Sequence, residues 1–333
     1  MAILQLGLSS RGLQVPARRL KRSSTQARST EPQTIAEPLL GGFNLLGQQI
    51  MSGLATGSLY ALTAVAVVVV FRNTRTINLA QGDFSMIGAF IALLLLKQFG
   101  LNYYAALILT VVGVTLLGVV VERLVMRPIA NSDWLTLFTA TLGVYYILHG
   151  LAGWLWGRDT KAFPVTFDPT PVNMFGAIVS EGHLFNMAWA AAIGLVLFLF
   201  FKFSKQGIAM RAVTDDSETA RLMGIPVRFI VMLTWGMAGF LAAFAGILTA
   251  PIIYVGPQMM DQVLIKGYVA AVFGGLYSIP GAIIGSLMIG VTENLAGGYL
   301  GSQYKTATAF VMIVALLSLR PKGLFGIQKR REV

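Results

Sequence analysis

The chain has 333 residues, of which 56% are hydrophobic and only 12% are charged, and it contains no cysteine. A soluble domain carries about 25% charged residues, so this composition excludes a water-soluble enzyme, a disordered chain and a disulfide-stapled secreted protein. What remains is a protein whose solvent is largely lipid. The net charge of +11 therefore raises the question of where basic residues lie relative to a membrane, and no nucleic-acid partner is predicted.

Nine apolar segments are predicted to cross the membrane, because about 20 apolar residues span a hydrocarbon core of roughly 30 Å. The first six cover residues 45–71, 76–96, 101–121, 134–157, 184–201 and 229–255. The region from Val263 to Leu319 is predicted to form three short or broken crossings, with Pro280 and Gly281 at a break. Pro251 is a second candidate hinge. The predicted fold is an all-α polytopic transmembrane helix bundle of about eight to ten spans, with broken or short helices in its C-terminal third.

Lys and Arg residues are unevenly divided between the two sets of loops that connect these spans. Fourteen lie in one set, which includes the loop 202–228 and the residues after Leu319, whereas four lie in the other set. Because cytoplasmic loops collect basic residues, this bias predicts that the loop 202–228 and the C-terminus are cytoplasmic.

Three regions are predicted along the chain. Residues 1–40 form a basic extension with six Lys and Arg and no apolar stretch of 20 residues, and the extension is predicted to be disordered. Its Arg- and Ser-rich composition is similar to that of a targeting peptide. Residues 41–325 form the transmembrane domain, and residues 326–333 form a basic cytoplasmic tail.

A polar stripe is predicted on the second span, which reads INLAQGDFSMIGAF from Ile77 to Phe90. On a helix with 100° per residue, four small or polar residues share one face. They are Asn78, Gln81, Gly82 and Ser85. Such a face suits either a water-filled path or a tight contact with another helix, so these residues are candidates for lining a translocation path.

Three ionisable residues lie inside predicted spans, where a charge costs about 2.5–3.5 kcal/mol. Asp83 points away from the polar stripe and, counted along a helix from Arg75, lies roughly 12 Å further on, in the cytoplasmic half. It is interpreted either as a paired acid that holds helices together or as a group that contacts substrate. Lys266 and Glu293 are interpreted as paired or snorkelling groups near span ends rather than as substrate ligands.

Small residues four positions apart predict close helix packing, because helices in lipid associate where their backbones can approach. These residues are Gly53 and Gly57 in the first span, and Gly281, Gly285, Ser286 and Gly290 near the end of the chain. The two histidines, His149 and His183, match no metal-ligand spacing. No metal and no other cofactor is therefore predicted.

The loop 202–228 contains a short predicted helix that begins with acidic residues and ends at a glycine. The acids are Asp215, Asp216 and Glu218, and Gly224 and Pro226 follow the helix. Apolar residues at Ala220, Leu222 and Met223 give the helix a side suited to docking on a cytoplasmic partner. The alternative is that the segment is merely a well-formed loop.

Three segments resemble the permease subunits of branched-chain amino acid ABC importers. Residues 218–224 resemble the family's Glu-Ala-Ala-x-x-x-Gly coupling loop, with Glu218, Thr219, Ala220 and Gly224 in register. Residues 77–90 resemble its Ile-Asn-Phe-Ala-His-Gly-Glu segment. The run AAVFGGLYSIPGAIIGSLMIGVTENLAGGYL at 270–300, followed by Tyr304, resembles its C-terminal signature. The departures are Thr219 for alanine, Gln81 for histidine, Asp83 for glutamate and the extension 1–40.

The resemblance implies a bacterial inner-membrane permease that forms half of a translocation pathway for branched-chain or related small amino acids. The implied partners are a second related permease, two cytoplasmic ATPase subunits, an extracytoplasmic substrate-binding protein and the lipid bilayer. The residues implied to couple to the ATPase are Asp215, Asp216, Glu218, Thr219, Ala220 and Gly224. The chain has no Gly-x-x-x-x-Gly-Lys-Ser/Thr loop to hold ATP phosphates, so it is predicted not to be an enzyme, and its energy must come from a partner or an ion gradient.

Alternative functions are also open from the sequence. A permease of the same family could carry urea or short amides. A stand-alone secondary transporter or channel would use broken spans such as those near Pro251 and Pro280 at its binding site. An intramembrane enzyme is disfavoured, because the spans hold no paired acids, metal ligands or nucleophile with an adjacent base.

Overall fold

A computed structural model of the chain describes residues 36–164, 171–174, 177–320 and 323–326. The chain divides into two units, Met1–Leu40 and Gly41–Val333, and the features below belong to the second. The predictions of a disordered extension and a basic tail fall largely on residues 1–35 and 327–333, which lie outside the described residues.

The described residues form eleven α-helices and one two-stranded hairpin. The helices are α1 Ala36–Thr74, α2 Gln81–Lys97, α3 Tyr103–Val121, α4 Trp134–Trp156, α5 Glu181–Phe203, α6 Lys205–Asp215, α7 Ser217–Leu222, α8 Val227–Ile253, α9 Asp261–Gly274, α10 Ile279–Tyr299 and α11 Lys305–Leu319. A π-helical segment, Glu122–Met126, extends α3, and a 3₁₀ turn, Ser302–Tyr304, precedes α11. Strands β1 Pro171–Met174 and β2 Ala177–Ser180 pair antiparallel, with Pro171 opposite Ser180.

Seven helices among the described residues are long and apolar enough to cross a membrane. They are α1, α3 with its π-helical extension, α4, α5, α8, α10, and α11 with its 3₁₀ turn. Two further apolar helices are shorter, since α2 has 17 residues and α9 has 14. Each of the nine predicted segments thus corresponds to one helix, and the predicted all-α polytopic bundle is confirmed.

Apolar side chains cover both the inside and the outside of the bundle. The segments of α1 and α8 that could span a membrane are largely buried, whereas those of α4, α5 and α11 are mostly exposed. On α3, Ile108, Val112 and Leu116 are exposed at helical spacing. Such an apolar outer face is typical of contact with lipid or with another membrane subunit.

The second predicted span is wrong at its beginning, because residues 75–80 are not helical. Arg75 has a φ of 54°, which ends α1, and α2 starts only at Gln81. The helical distance of 12 Å from Arg75 to Asp83 therefore does not apply. Asn78 precedes α2, so it shares no helical face with the other three residues of the predicted stripe.

Thr141 of α4 holds the non-helical segment in place. Its hydroxyl donates a hydrogen bond to the carbonyl oxygen of Ile77 over 3.0 Å and accepts one from the backbone N–H of Leu79 over 3.3 Å. Backbone groups away from water need such partners, because an unpaired one costs about as much as a lost hydrogen bond. The side chain of α4 thus replaces the helical hydrogen bonds that these residues lack.

Glycine and serine residues bring α1 and α10 into backbone contact. A Cβ atom added to Gly57 would lie 2.8 Å from the carbonyl oxygen of Ser286, and one added to Gly53 would lie 2.9 Å from that of Gly290. Gly53 and Gly57 of the first span therefore pack against Ser286 and Gly290, whereas Gly281 and Gly285 pack against the end of α9.

The helix α8 packs just as closely on its neighbours. Gly246 of α8 lies against the backbone of Ser85 in α2, with no room for a Cβ atom. Gly239 of α8 and Gly118 of α3 likewise meet backbone atoms of the facing helix. These contacts place α8 between α2 and α3.

The candidate hinge residues lie at helix ends. Residues 275–278 separate α9 from α10, which begins at Ile279. Pro280 and Gly281 therefore lie in the first turn of α10 rather than in the break, because a proline's missing N–H costs no hydrogen bond there. The hydroxyl oxygen of Ser278 caps this turn by accepting from Gly281 N–H over 3.1 Å. Pro251 lies in the last turn of α8.

Residues 323–326 close the end of α9. The N–H of Leu324 donates to the carbonyl oxygen of Phe273 over 2.9 Å, and the N–H of Phe325 donates to that of Gly274 over 3.1 Å. These carbonyls belong to the last turn of α9, where helical N–H partners run out. The chain turns away at Gly275, whose φ is 105°. A segment after α11 therefore supplies hydrogen bonds that the α9 end needs.

Candidate coupling segment and intramembrane polar sites

The predicted coupling residues lie in α6, α7 and the turns beside them. Asp216 is the N-cap of α7: its Oδ1 accepts from the N–H groups of Glu218 and Thr219 over 2.9 and 3.2 Å. Its Oδ2 accepts from the Thr219 hydroxyl over 2.9 Å. Gly224, with a φ of 83°, follows the helix in the left-handed conformation that glycine adopts without strain. The helix α7 thus begins directly after Asp216 and ends at Leu222, shortly before Gly224.

The apolar residues of α7 do not share one side, contrary to the prediction. Ala220 is only 4% exposed and belongs to the hydrophobic core, whereas Leu222 is 86% exposed and Met223 is 79% exposed. Residues two apart on a helix point about 200° apart, and Met223 lies beyond the last helical residue. Leu222 and Met223 therefore form an exposed apolar pair, which we call the α7 tip.

The segment is joined to a long helix of the bundle. The single hydroxyl proton of Thr214 in α6 is shared between the carbonyl oxygen of Met210 at 2.9 Å and Oδ1 of Asn73 at 3.3 Å, and Asn73 lies in the last turn of α1. After α7, the chain continues through a short turn directly into α8. The helix α7 is therefore connected to α1 through α6 and to α8 through residues 223–226.

Replacing Asp216 with alanine is expected to loosen α7 without unfolding the bundle, because an N-cap side chain contributes about 1 kcal/mol. Amide hydrogen exchange of residues 217–222 should then speed up by roughly fivefold. Exchange in α8 should stay unchanged. Equal exchange of α7 in both proteins would show that the cap does not hold this helix.

The predicted polar stripe is buried in helix contacts. The side-chain amide of Gln81 donates to the carbonyl oxygen of Ala238 in α8 over 3.0 Å, and its Oε1 accepts from Asn78 over 3.1 Å. Ser85 bonds back to the carbonyl oxygen of Gln81 over 3.3 Å, and Gly82 faces Leu264 of α9. Of the two interpretations, the geometry matches the tight contact. A role of these residues in lining a path stays a prediction.

Asp83 pairs with a histidine that the sequence left without a role. Its Oδ1 lies 3.3 Å from Nδ1 of His149 in α4, and its Oδ2 is buried with no hydrogen-bond partner among the described residues. The ring of Tyr145 lies one turn earlier on α4, with its centroid 5.4 Å from that of His149. Asp83 therefore keeps a free acceptor inside the bundle.

Lys266 and Glu293 pair with each other, and Tyr60 completes a buried triad. Lys266 Nζ contacts Glu293 Oε1 directly and donates to the Tyr60 hydroxyl over 3.2 Å. That hydroxyl donates to Glu293 Oε2 over 3.0 Å. The triad joins α1, α9 and α10, and it leaves both charges compensated.

Patterns in the sequence did not select Tyr60, Thr141 or His149. All three are polar groups inside apolar helices, and that was the available signal, but their partners lie between 62 and 233 positions away in the chain. Within the described ranges, no group of three His, Cys, Asp or Glu side chains could hold a metal ion.

Seven of the described helices are long and apolar enough to cross a membrane, and α6 and α7 form an exposed helical segment between α5 and α8. This arrangement defines a multi-pass membrane protein. The family model described as the permease component of branched-chain amino acid transport systems matches residues 49–319. The chain belongs to this family.

Several curated relatives match over most of the chain. BraD of Pseudomonas aeruginosa is 32% identical over 292 residues, covering 84% of this chain and 95% of BraD. LivH of Escherichia coli is 29% identical over 294 residues, with the same two coverages. A probable LivH of Methanocaldococcus jannaschii is 30% identical, covering 82% of this chain and 90% of the relative. Each is named as a permease protein of branched-chain amino acid transport.

Proposed function

We propose that this chain is the permease subunit of an ATP-driven importer and forms half of the translocation pathway for branched-chain or related small amino acids. The observation that carries the proposal is the family match over residues 49–319, together with relatives named for this transport at 29–32% identity. The protein would lie in the inner membrane of a bacterium, with its C-terminus in the cytoplasm, as the distribution of basic residues predicts.

The proposed partners are two cytoplasmic ATPase subunits, a second related permease and an extracytoplasmic substrate-binding protein. The α7 tip supports the first of these, because two large apolar side chains at 86% and 79% exposure on a capped helix suit docking into an apolar groove. The acids Asp215 and Glu218 beside it are exposed and would lie at the rim of that contact.

The mechanism follows from how α6 and α7 are attached. Closure of the ATPase pair would push α7, and the push would pass through the Thr214–Asn73 hydrogen bond to α1 and through the chain itself to α8. Because α8 packs on α2 at Gly246, the contact around Gln81 would shift with it. That shift would open the pathway to one side of the membrane at a time.

Replacing Leu222 and Met223 together with serine is expected to weaken ATPase docking by about tenfold or more, since each buried apolar side chain contributes about 1.5–3 kcal/mol. Co-purification of the ATPase subunits and ATP-dependent leucine uptake into vesicles should fall together. Both side chains are exposed in the chain itself, so its thermal unfolding should not change.

Leu300→Ser provides a matched control, because Leu300 is 66% exposed and follows α10, far along the chain from α7. It should leave docking and uptake at the wild-type level. Full docking by the α7-tip variant would contradict the proposed contact. Uptake by the purified chain alone, driven by an ion gradient, would instead identify a secondary transporter, and a panel of leucine, small neutral amino acids and urea would identify the substrate class.

A further inference from the structure

Two short helices, α2 and α9, begin next to each other inside the bundle. A Cβ atom on Gly82, in the first turn of α2, would lie 3.5 Å from Cβ of Met260, which precedes α9. Each helix carries an acid in its first turn: Asp83 in α2 and Asp261 in α9. Two carboxyl groups are therefore gathered where these two helices begin.

This place lies well within the length of a membrane-spanning helix. His149, the residue that contacts Asp83, comes 15 residues after Trp134, the first residue of α4, which is roughly 22 Å along the helix. Ionisable groups at such depth are costly, and in membrane proteins they mark pathways for polar solutes. The depth therefore calls for a charged or strongly polar ligand.

The Asp83 carboxylate has spare capacity for a donor. Its side chain is 3% exposed, and its Oδ2 has no hydrogen-bond partner among the described residues, whereas Oδ1 faces His149 over 3.3 Å. The ion pairs of the described residues give Asp83 no lysine or arginine partner. A buried carboxylate oxygen without a donor is unfavourable, so a ligand that brings an N–H group would be stabilised there.

Groups near Asp83 suit a cation. The His149 side chain is 25% exposed, and Tyr145 stacks beside it with its ring partly buried. Asp261, also partly buried, lies in the first turn of the neighbouring helix α9. A primary ammonium group has three N–H donors and is also attracted to the face of an aromatic ring.

We infer that Asp83, with Asp261 and Tyr145 beside it, binds the ammonium group of the amino acid on its way through the permease. Asp83 Oδ2 accepts one N–H, Asp261 compensates the positive charge, and the Tyr145 ring covers the group from the side of α4. This inference rests on the proposed function, because it assumes that the solute carries an ammonium group.

The test uses two probes, each of which keeps only one of the two charged groups of leucine. The probes are 3-methylbutylamine, which is leucine without its carboxylate, and 4-methylpentanoate, which is leucine without its ammonium group. The complete importer is reconstituted in vesicles, and ATP-dependent leucine uptake is measured with each probe. The same complexes are heated with and without each probe to record the thermal shift.

The amine should inhibit uptake and stabilise the wild-type complex, and the carboxylate should do neither. Asp83→Asn should raise the amine concentration needed for half-inhibition by about tenfold or more, as loss of a buried charge partner does, and should reduce the thermal shift accordingly. Asp83→Glu should restore part of the effect, and Asp261→Asn should reduce it. Asp133→Asn, at an exposed acid before α4, is the matched control and should behave as wild type.

Amine effects that Asp83→Asn leaves unchanged, or that Asp133→Asn reduces equally, would overturn the inference. If Asp83→Asn fails to assemble, an unchanged amine effect in Asp261→Asn would overturn it. Failure of the proposed function has a different signature: the wild-type importer would not take up leucine, while the thermal shift by the amine would still report the Asp83 site.

Discussion

Lys266→Met is expected to destabilise the bundle by about 3–5 kcal/mol, because it leaves the Glu293 carboxylate buried without its counter-charge. Glu293 is 4% exposed, and after the change only the Tyr60 hydroxyl, 3.0 Å from Oε2, would still donate to it. The free energy of unfolding can be measured by titrating the purified chain with a denaturing detergent in mixed micelles.

The double variant Lys266→Met, Glu293→Gln should recover much of this loss. Neutral side chains of similar size remove the uncompensated charge, and buried ion pairs are often replaceable at little cost. Lys97→Met, at an exposed lysine that ends α2, is the control and should change stability by less than about 0.5 kcal/mol. A single variant as stable as the double variant would show that the pair does not compensate charge in the folded state.

Gly246→Ala is expected to separate α8 from α2, since the added methyl group has no space beside the Ser85 backbone. Backbone atoms cannot move aside as the end of a flexible side chain can, so the cost should be at least about 1–3 kcal/mol. The same contact holds Gln81 against Ala238 at 3.0 Å, and uptake should therefore fall together with stability.

Gly113→Ala is the matched control, because Gly113 lies in α3 with nothing within 4 Å of its Cβ position. There the same substitution should stabilise the helix by up to about 1 kcal/mol, through the higher helix propensity of alanine. Opposite signs for the two glycines, measured by detergent titration and leucine uptake, are the expected result. A neutral Gly246→Ala would contradict the close packing of α2 and α8.

Helices were predicted correctly from the sequence where residues within one segment are enough to determine them. Long apolar runs gave the seven helices that could cross a membrane, and the acids and glycine around 215–224 gave α7. The start of α2 was wrong because Ile77, Leu79 and Ala80 are as apolar as residues of a helix would be. In the structure Asn78 accepts from the N–H of Ala80 in a local turn, and Thr141, 64 positions from Ile77, bonds to the non-helical segment.

The polar sites were less predictable, for a similar reason. Asp83, Lys266 and Glu293 could be selected, since a charge in an apolar run is conspicuous in the sequence. Their partners could not be selected, because His149 and Tyr60 are ordinary residues in their own segments and gain a role only when helices meet. Likewise, the spacing of Ala220, Leu222 and Met223 could not decide which of these apolar side chains would be buried.

The hydrogen bonds from residues 324 and 325 to the end of α9 impose an order on biosynthesis. The acceptors at Phe273 and Gly274 leave the ribosome some fifty residues before their donors at Leu324 and Phe325 exist. The turn between α9 and α10 therefore lacks these two hydrogen bonds until α10 and α11 have been made. A chain truncated after Leu319 would keep the seven described helices that could cross a membrane and would lack both hydrogen bonds.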